Sequence, residues 1–142
     1  MHLLLGFIFS YVSALGFAML YSSPKKSIKY SALAGAIGFL IYSIVGDILG
    51  GVFLPALLGA YITGILGEIL SRKLHMPAIL FIIPGIINLV PGKGIYNTLF
   101  NFVENEKTVA LINLFDTLTT ASAISFGILL ASVLSKSLRG FK

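Results

Sequence analysis

The chain has 142 residues, 57% apolar and 11% charged, with a net charge of +5 and neither cysteine nor tryptophan; its mean hydropathy is +1.00. A water-soluble domain carries about 25% charged residues, so a soluble globular protein is excluded, and the lack of cysteine excludes disulfide frameworks, thiolate metal sites and cysteine nucleophiles. Lys and Arg fall in short clusters beside apolar runs, which argues against nucleic-acid binding and for signals of membrane topology.

At about 20 apolar residues per crossing, the length holds about five helical spans in one transmembrane domain. The long unbroken runs exclude the alternating ten-residue strands of an outer-membrane barrel. The expected fold is therefore an all-α integral membrane protein, with spans near residues 3–21, 30–47, 50–70, 77–103 and 109–134. The first run ends at Ser22-Ser23-Pro24-Lys25-Lys26. It lacks the positive start and cleavage site of a secretory signal and is expected to be a retained helix. The second, residues 30–45, closes at Gly46-Asp47. Its helix of about 24 Å must borrow a turn to cross a core of about 30 Å. The third ends before Ser71-Arg72-Lys73.

The fourth region is irregular. Residues 77–90 carry Pro84-Gly85, Pro91-Gly92-Lys93-Gly94 follows, and apolar residues resume through Val103. Neither half is long enough to cross alone. The fifth run, residues 108–134, is closed by Lys136, Arg139 and Lys142. If the fourth region crosses as one interrupted helix, these three share a side with Lys25, Lys26, Lys29, Arg72 and Lys73, and only Lys93 and Lys107 lie opposite. A re-entrant fourth region divides the charges less unevenly. The expectation is a multi-pass protein of the bacterial inner membrane, N-terminus outside and C-terminus cytoplasmic.

The two Pro-Gly pairs predict breaks in the fourth helix, because proline removes a backbone donor and glycine permits helix-ending conformations. Broken backbone at membrane depth is tolerated where protein or a wet cavity satisfies it, and transporters bind substrate at such places. The alternative is a kinked packing helix followed by an ordinary turn. Lys93 offers an ammonium to an anion, or merely snorkels to the outer interface. Asn88 faces a zwitterion or caps the broken backbone. Asp116 lies in the fifth run among Asn113, Thr117, Thr119, Thr120, Ser122 and Ser125. A buried ionisable group there marks a pathway or proton site, unless the helix starts late and leaves it in the headgroups. Glu68, four residues before Arg72, is an interfacial ion pair or a second proton site.

Ser31 with Gly35, Ala34 with Gly38 and Ala60 with Gly64 are small pairs that let helices approach closely, within this chain or toward a partner. His2 and His75 have no ligand partners at metal spacing, so neither metal nor cofactor is expected. Gly92-Lys93-Gly94 lacks the Ser or Thr of a phosphate loop. An enzyme would need a nucleophile beside a base, and none is apparent. No internal repeat is visible, so the chain looks like half of a transporter.

The stretch from Pro84 through Asn88 to Gly92, with Tyr96 after it, resembles the small membrane subunit of the threonine/serine exporter (ThrE) family of bacterial transporters. Supporting residues are Gly16-Phe17-Ala18-Met19, Pro24, residues 33–38 and Thr120-Ala121-Ser122. The resemblance covers nearly the whole chain. It implies one half of an amino-acid exporter whose other half is a larger membrane subunit, separate or fused. Asn88 and Lys93 depart from the family's usual residues, which leaves the substrate open between a zwitterionic amino acid and a small dicarboxylate.

The expected function is thus a subunit of a secondary transporter exporting small polar metabolites, by resemblance threonine or serine, through proton-coupled antiport. The expected substrate site is Pro84, Gly85, Asn88, Pro91, Gly92, Lys93, Tyr96, Asn113, Thr117 and Thr120, with Asp116 and Glu68 for proton coupling. The competing reading is a non-transporting scaffold or assembly subunit. Its expected surroundings are the lipid bilayer, the larger subunit, a small polar substrate and, as an open possibility, further copies of itself.

Overall fold

In lipid every backbone polar group must be bonded internally, which leaves helices as the economical solution for a chain this apolar. The computed structural model describes residues 2–137, and they form α1 (His2–Leu20), α2 (Lys25–Leu49), α3 (Phe53–Leu74), α4 (Ile79–Ile86), α5 (Gly92–Val103) and α6 (Lys107–Ser137). A 3-10 turn over Ile87–Leu89 continues α4. Helices α1, α2, α3 and α6 are each long and apolar enough to cross a membrane. The pair Ile79–Leu89 and Gly92–Val103 makes a fifth candidate span, bent by 46° at the break. Arg139 and Lys142 lie outside the described residues.

The turns follow from local chemistry. Ser22, His75 and Asn105 adopt left-handed backbone with φ of 51°, 55° and 61°. The amide of the next residue then reaches back to the helix end: Ser23 donates to the Ala18 carbonyl at 3.0 Å, Met76 to Ser71 at 3.1 Å and Glu106 to Asn101 at 2.9 Å. These bonds satisfy carbonyls that a helix end otherwise leaves open. Between α2 and α3 the chain turns at Gly50 and Gly51, at φ 66° and 70°, and the Gly50 amide donates to the Gly46 carbonyl at 3.0 Å. Helix α2 starts at Lys25, five residues before the apolar run, and this is the extra turn its length required.

Small side chains set how closely the helices meet. A Cβ at Gly38 would lie 2.9 Å from the Gly59 carbonyl oxygen and collide with the Thr63 hydroxyl, and one at Gly59 would lie 2.9 Å from the Gly38 oxygen. Helices α2 and α3 therefore touch backbone to backbone. Gly35 meets Gly85 of α4 in the same way, with a Cβ 2.7 Å from the Gly85 oxygen. Gly127 of α6 lies against the backbone of α3 at Leu57 and Tyr61, and Gly64 against Ala131. Most of the core side chains are alanine: Ala14, Ala18, Ala32, Ala36, Ala56, Ala60, Ala110, Ala123 and Ala131 are fully buried. With lipid as apolar as any side chain, such close contact supplies the van der Waals energy that holds the bundle. The small pairs seen in the sequence thus pack this chain's own helices.

The helix runs without interruption through Pro84-Gly85, which are buried in α4. The chain leaves helical geometry only after Leu89, where Val90 is extended (φ −60°, ψ 128°) and Pro91 precedes α5. The interruption therefore falls at the second Pro-Gly pair alone. The first is a packing contact: a Cβ on Gly85 would strike the Thr63 methyl at 2.7 Å. Helix α5 packs on α6, and Thr98 is its one buried residue.

Gly59→Leu should separate α2 from α3 and cost about 1–3 kcal/mol, read as a lowered midpoint of thermal unfolding in detergent. Gly16→Ala, with nothing within 4 Å of its added carbon, should leave the midpoint unchanged.

Candidate functional site

The bend between α4 and α5 opens a cavity of about 580 Å³. Its near wall is the break itself, Asn88 to Gly94; α5 adds Asn97, α6 adds Asn113, Asp116, Thr117 and Thr120, and α2 adds Phe39 and Tyr42. Val52 of the α2–α3 turn lines it too, so it lies in the half of the bundle remote from the lysines that begin α2. Asn113, Asp116, Thr117 and Thr120 are spaced as one helix face, and that face forms the wall opposite the break.

Of the residues expected from the sequence, Asn88, Pro91, Gly92, Lys93, Asn113, Asp116, Thr117 and Thr120 come together around this cavity. Pro84 and Gly85 do not line it; they are buried in the contact with α2 and α3. Tyr96 is exposed and stacks on Phe100 at 6.0 Å between ring centroids, away from the cavity. Asn97, Phe39 and Tyr42 were not singled out in the sequence. Asn97 was legible, since it stands one turn after Lys93 and shares its face.

The polar groups are partly committed to the fold. The Asn88 side-chain amide donates to the Ser10 carbonyl at 2.9 Å, which ties the 3-10 turn to α1. The hydroxyl of Thr117 donates to the Asn113 carbonyl at 2.6 Å and that of Thr120 to the Asp116 carbonyl at 2.8 Å. Both threonines therefore offer acceptor lone pairs to the cavity. Gly94 lets α5 approach α6, because a Cβ there would strike the Thr117 hydroxyl. The amides of Lys93 and Gly94 stand in the first turn of α5, where a helix has no internal acceptor for them. A cationic side chain, a carboxylate, amides and hydroxyl acceptors around one recess can hold a small molecule bearing both charges.

Below the cavity, Leu89 packs with Ala56, Ala60, Ala123 and Ile124, and Phe39 and Tyr42 rest on the same cluster. This layer is apolar. Beyond it, Glu68 sits apart from the cavity, 9% exposed. Its carboxylate accepts hydrogen bonds from Ser135 at 3.0 Å and Ser132 at 3.5 Å, both on α6. Arg72 donates to the Ser135 carbonyl at 2.9 Å and to the Ser135 hydroxyl. Ser135 thus joins Glu68 and Arg72 in one network fastening α3 to α6. Among the described residues no group of three His, Asp or Glu is arranged to hold a metal ion.

The family model described as Threonine/Serine exporter, ThrE, matches residues 6–134. The chain belongs to the threonine/serine exporter family. A threonine/serine exporter of Corynebacterium glutamicum is 27% identical over 128 residues, which cover 90% of this chain and 26% of that protein. A Haemophilus influenzae protein described as uncharacterized is 26% identical over 102 residues, covering 72% of this chain and 34% of that one. This chain thus spans about a quarter to a third of the length of these relatives. No solved structure matches it. The exporter-family match runs through the break and the cavity wall on α6.

The natural lack of cysteine allows the cavity's wetness to be measured directly. In Asn97→Cys and Thr117→Cys, a membrane-impermeant thiol reagent should label the protein in native membranes. Leu129→Cys, on an α6 residue 59% exposed at the lipid-facing surface, should be labelled at least tenfold more slowly.

Proposed function

We propose that this chain forms the substrate-binding membrane part of a secondary exporter of small polar metabolites, threonine or serine in keeping with its family, and that the substrate occupies the cavity at the helix break. The observation that carries the reading is the pairing of Lys93 on α5 with Asp116 on α6 around one recess. An amino acid presents one carboxylate and one ammonium. Lys93 and the first-turn amides of α5 suit the carboxylate, while Asp116 and the threonine oxygens suit the ammonium.

The cycle is alternating access. The cavity reaches Val52 of the α2–α3 turn, and the positive-inside pattern supports an external position for that end. The path inward is closed twice, by the apolar layer around Leu89 and by the Glu68–Ser135–Arg72 network. Inward opening parts α3 from α6 at Ser135, while α5, carried on α6, closes over the cavity. Proton coupling is assigned to Asp116, because a carboxylate that faces substrate can exchange a proton for a bound ammonium. Glu68 is the second candidate, at the inner closure. The larger membrane subunit, in a separate chain or the same one, supplies the rest of the length that the relatives have.

The test is reconstitution with that subunit in vesicles loaded with threonine or serine. Asp116→Asn should abolish transport driven by a pH gradient while leaving substrate exchange measurable. Lys93→Gln should raise the KM for exchange at least tenfold. Unchanged pH dependence in the first and unchanged KM in the second would remove the cavity from the transport path.

A further inference from the structure

A second cleft, of about 350 Å³, lies at the opposite end of the bundle, between the start of α2 and the end of α3. It is lined by Lys25, Lys26, Lys29, Tyr30 and Leu74, and the transport reading makes no use of it. We propose that this cleft binds the phosphate headgroup of an anionic membrane phospholipid.

The first argument is charge. The three lysines crowd within five residues, and the first turn of α2 contains no acidic residue. Of the chain's five acidic residues, Asp47, Glu104, Glu106 and Asp116 belong to the other half of the bundle, and Glu68 is engaged with Ser132 and Ser135 of α6. Lys73 at the end of α3 adds to the excess. Among the described residues, the protein thus concentrates like charge at this cleft, and no acidic side chain lines it.

The second argument is shape and depth. Lys25 and Lys26 stand at the very start of a long apolar helix and Leu74 at the end of its neighbour, which is the level of the lipid headgroups. The floor of the cleft is Leu74 with Tyr30, whose ring lies 5.0 Å from the Lys29 ammonium. An ammonium rim above an apolar and aromatic floor matches a phosphate attached to its glycerol and acyl chains. Free inorganic phosphate would use only the rim. Basic pockets between helices on the cytoplasmic side are sites of this kind.

The test uses wild-type protein in nanodiscs of phosphatidylcholine alone or with phosphatidylglycerol, with pulse amine labelling read residue by residue by mass spectrometry. Phosphatidylglycerol should slow labelling of Lys25, Lys26 and Lys29 at least fivefold. It should change that of Lys107, at the opposite end, less than twofold. Equal slowing at Lys107 would mean general surface attraction and would overturn the proposal. So would full protection by millimolar inorganic phosphate in phosphatidylcholine alone, since the cleft would then be a simple anion site. In a second arm, K25Q/K26Q/K29Q should retain at least tenfold less phosphatidylglycerol than K107Q after detergent extraction, and equal retention would refute the site. None of these readouts depends on transport.

Discussion

A chain that leaves the helix within a packed bundle must find partners for the backbone groups it frees. Here the departure at Val90-Pro91 is held from three directions. Asn88 bonds the α1 backbone, Leu89 is sealed into the apolar cluster with Ala56 and Ala123, and Gly94 is pressed against Thr117 of α6. What these contacts leave open is the recess on the polar side, and every candidate substrate contact is measured from it. A continuous fourth helix would close the recess and leave the polar face of α6 without a purpose.

The frame around the break is rigid for a related reason. Glycine-to-backbone contacts at Gly38–Gly59, Gly35–Gly85 and Gly127–Leu57 bring α2, α3, α4 and α6 closer than larger side chains would allow. Such contacts have no slack, so movement of these helices is confined to sliding or to parting at their ends. Helix α5 has one such contact, Gly94 against Thr117 of α6. Its exposed residues include Tyr96, Leu99, Phe100 and Val103, and it is joined to the frame by a non-helical Val90-Pro91 link and by its packing on α6.

The all-helical class was legible from composition and run length alone, because lipid leaves an apolar chain few alternatives. The ends were less so. Lys25, Lys26 and Lys29 lie outside the second apolar run, yet they are helical, since long basic side chains can extend to the headgroups from within a helix. Pro84-Gly85 read as a break because proline costs a helix one bond wherever it stands. What decides its role is Gly35, some fifty positions earlier, and a sequence read from one end to the other does not reveal such a partner. Conversely, the α6 face of Asn113, Asp116, Thr117 and Thr120 was legible because helical spacing is local. Asn97 obeys the same rule, one turn after Lys93.

The hydroxyls of α6 have a consequence for how the recess is maintained. Thr117, Thr120, Ser122 and Ser125 each donate to the carbonyl four residues back, at 2.6 to 3.0 Å. Each has thereby discharged its donor within its own helix, and what it presents outward is a lone pair that tolerates either water or hydrocarbon nearby. Of the four, Thr117 and Thr120 line the recess, and such a surface is amphibious: flooding and draining it break neither bond. Wetting and drying of this wall therefore require no rebuilding of α6.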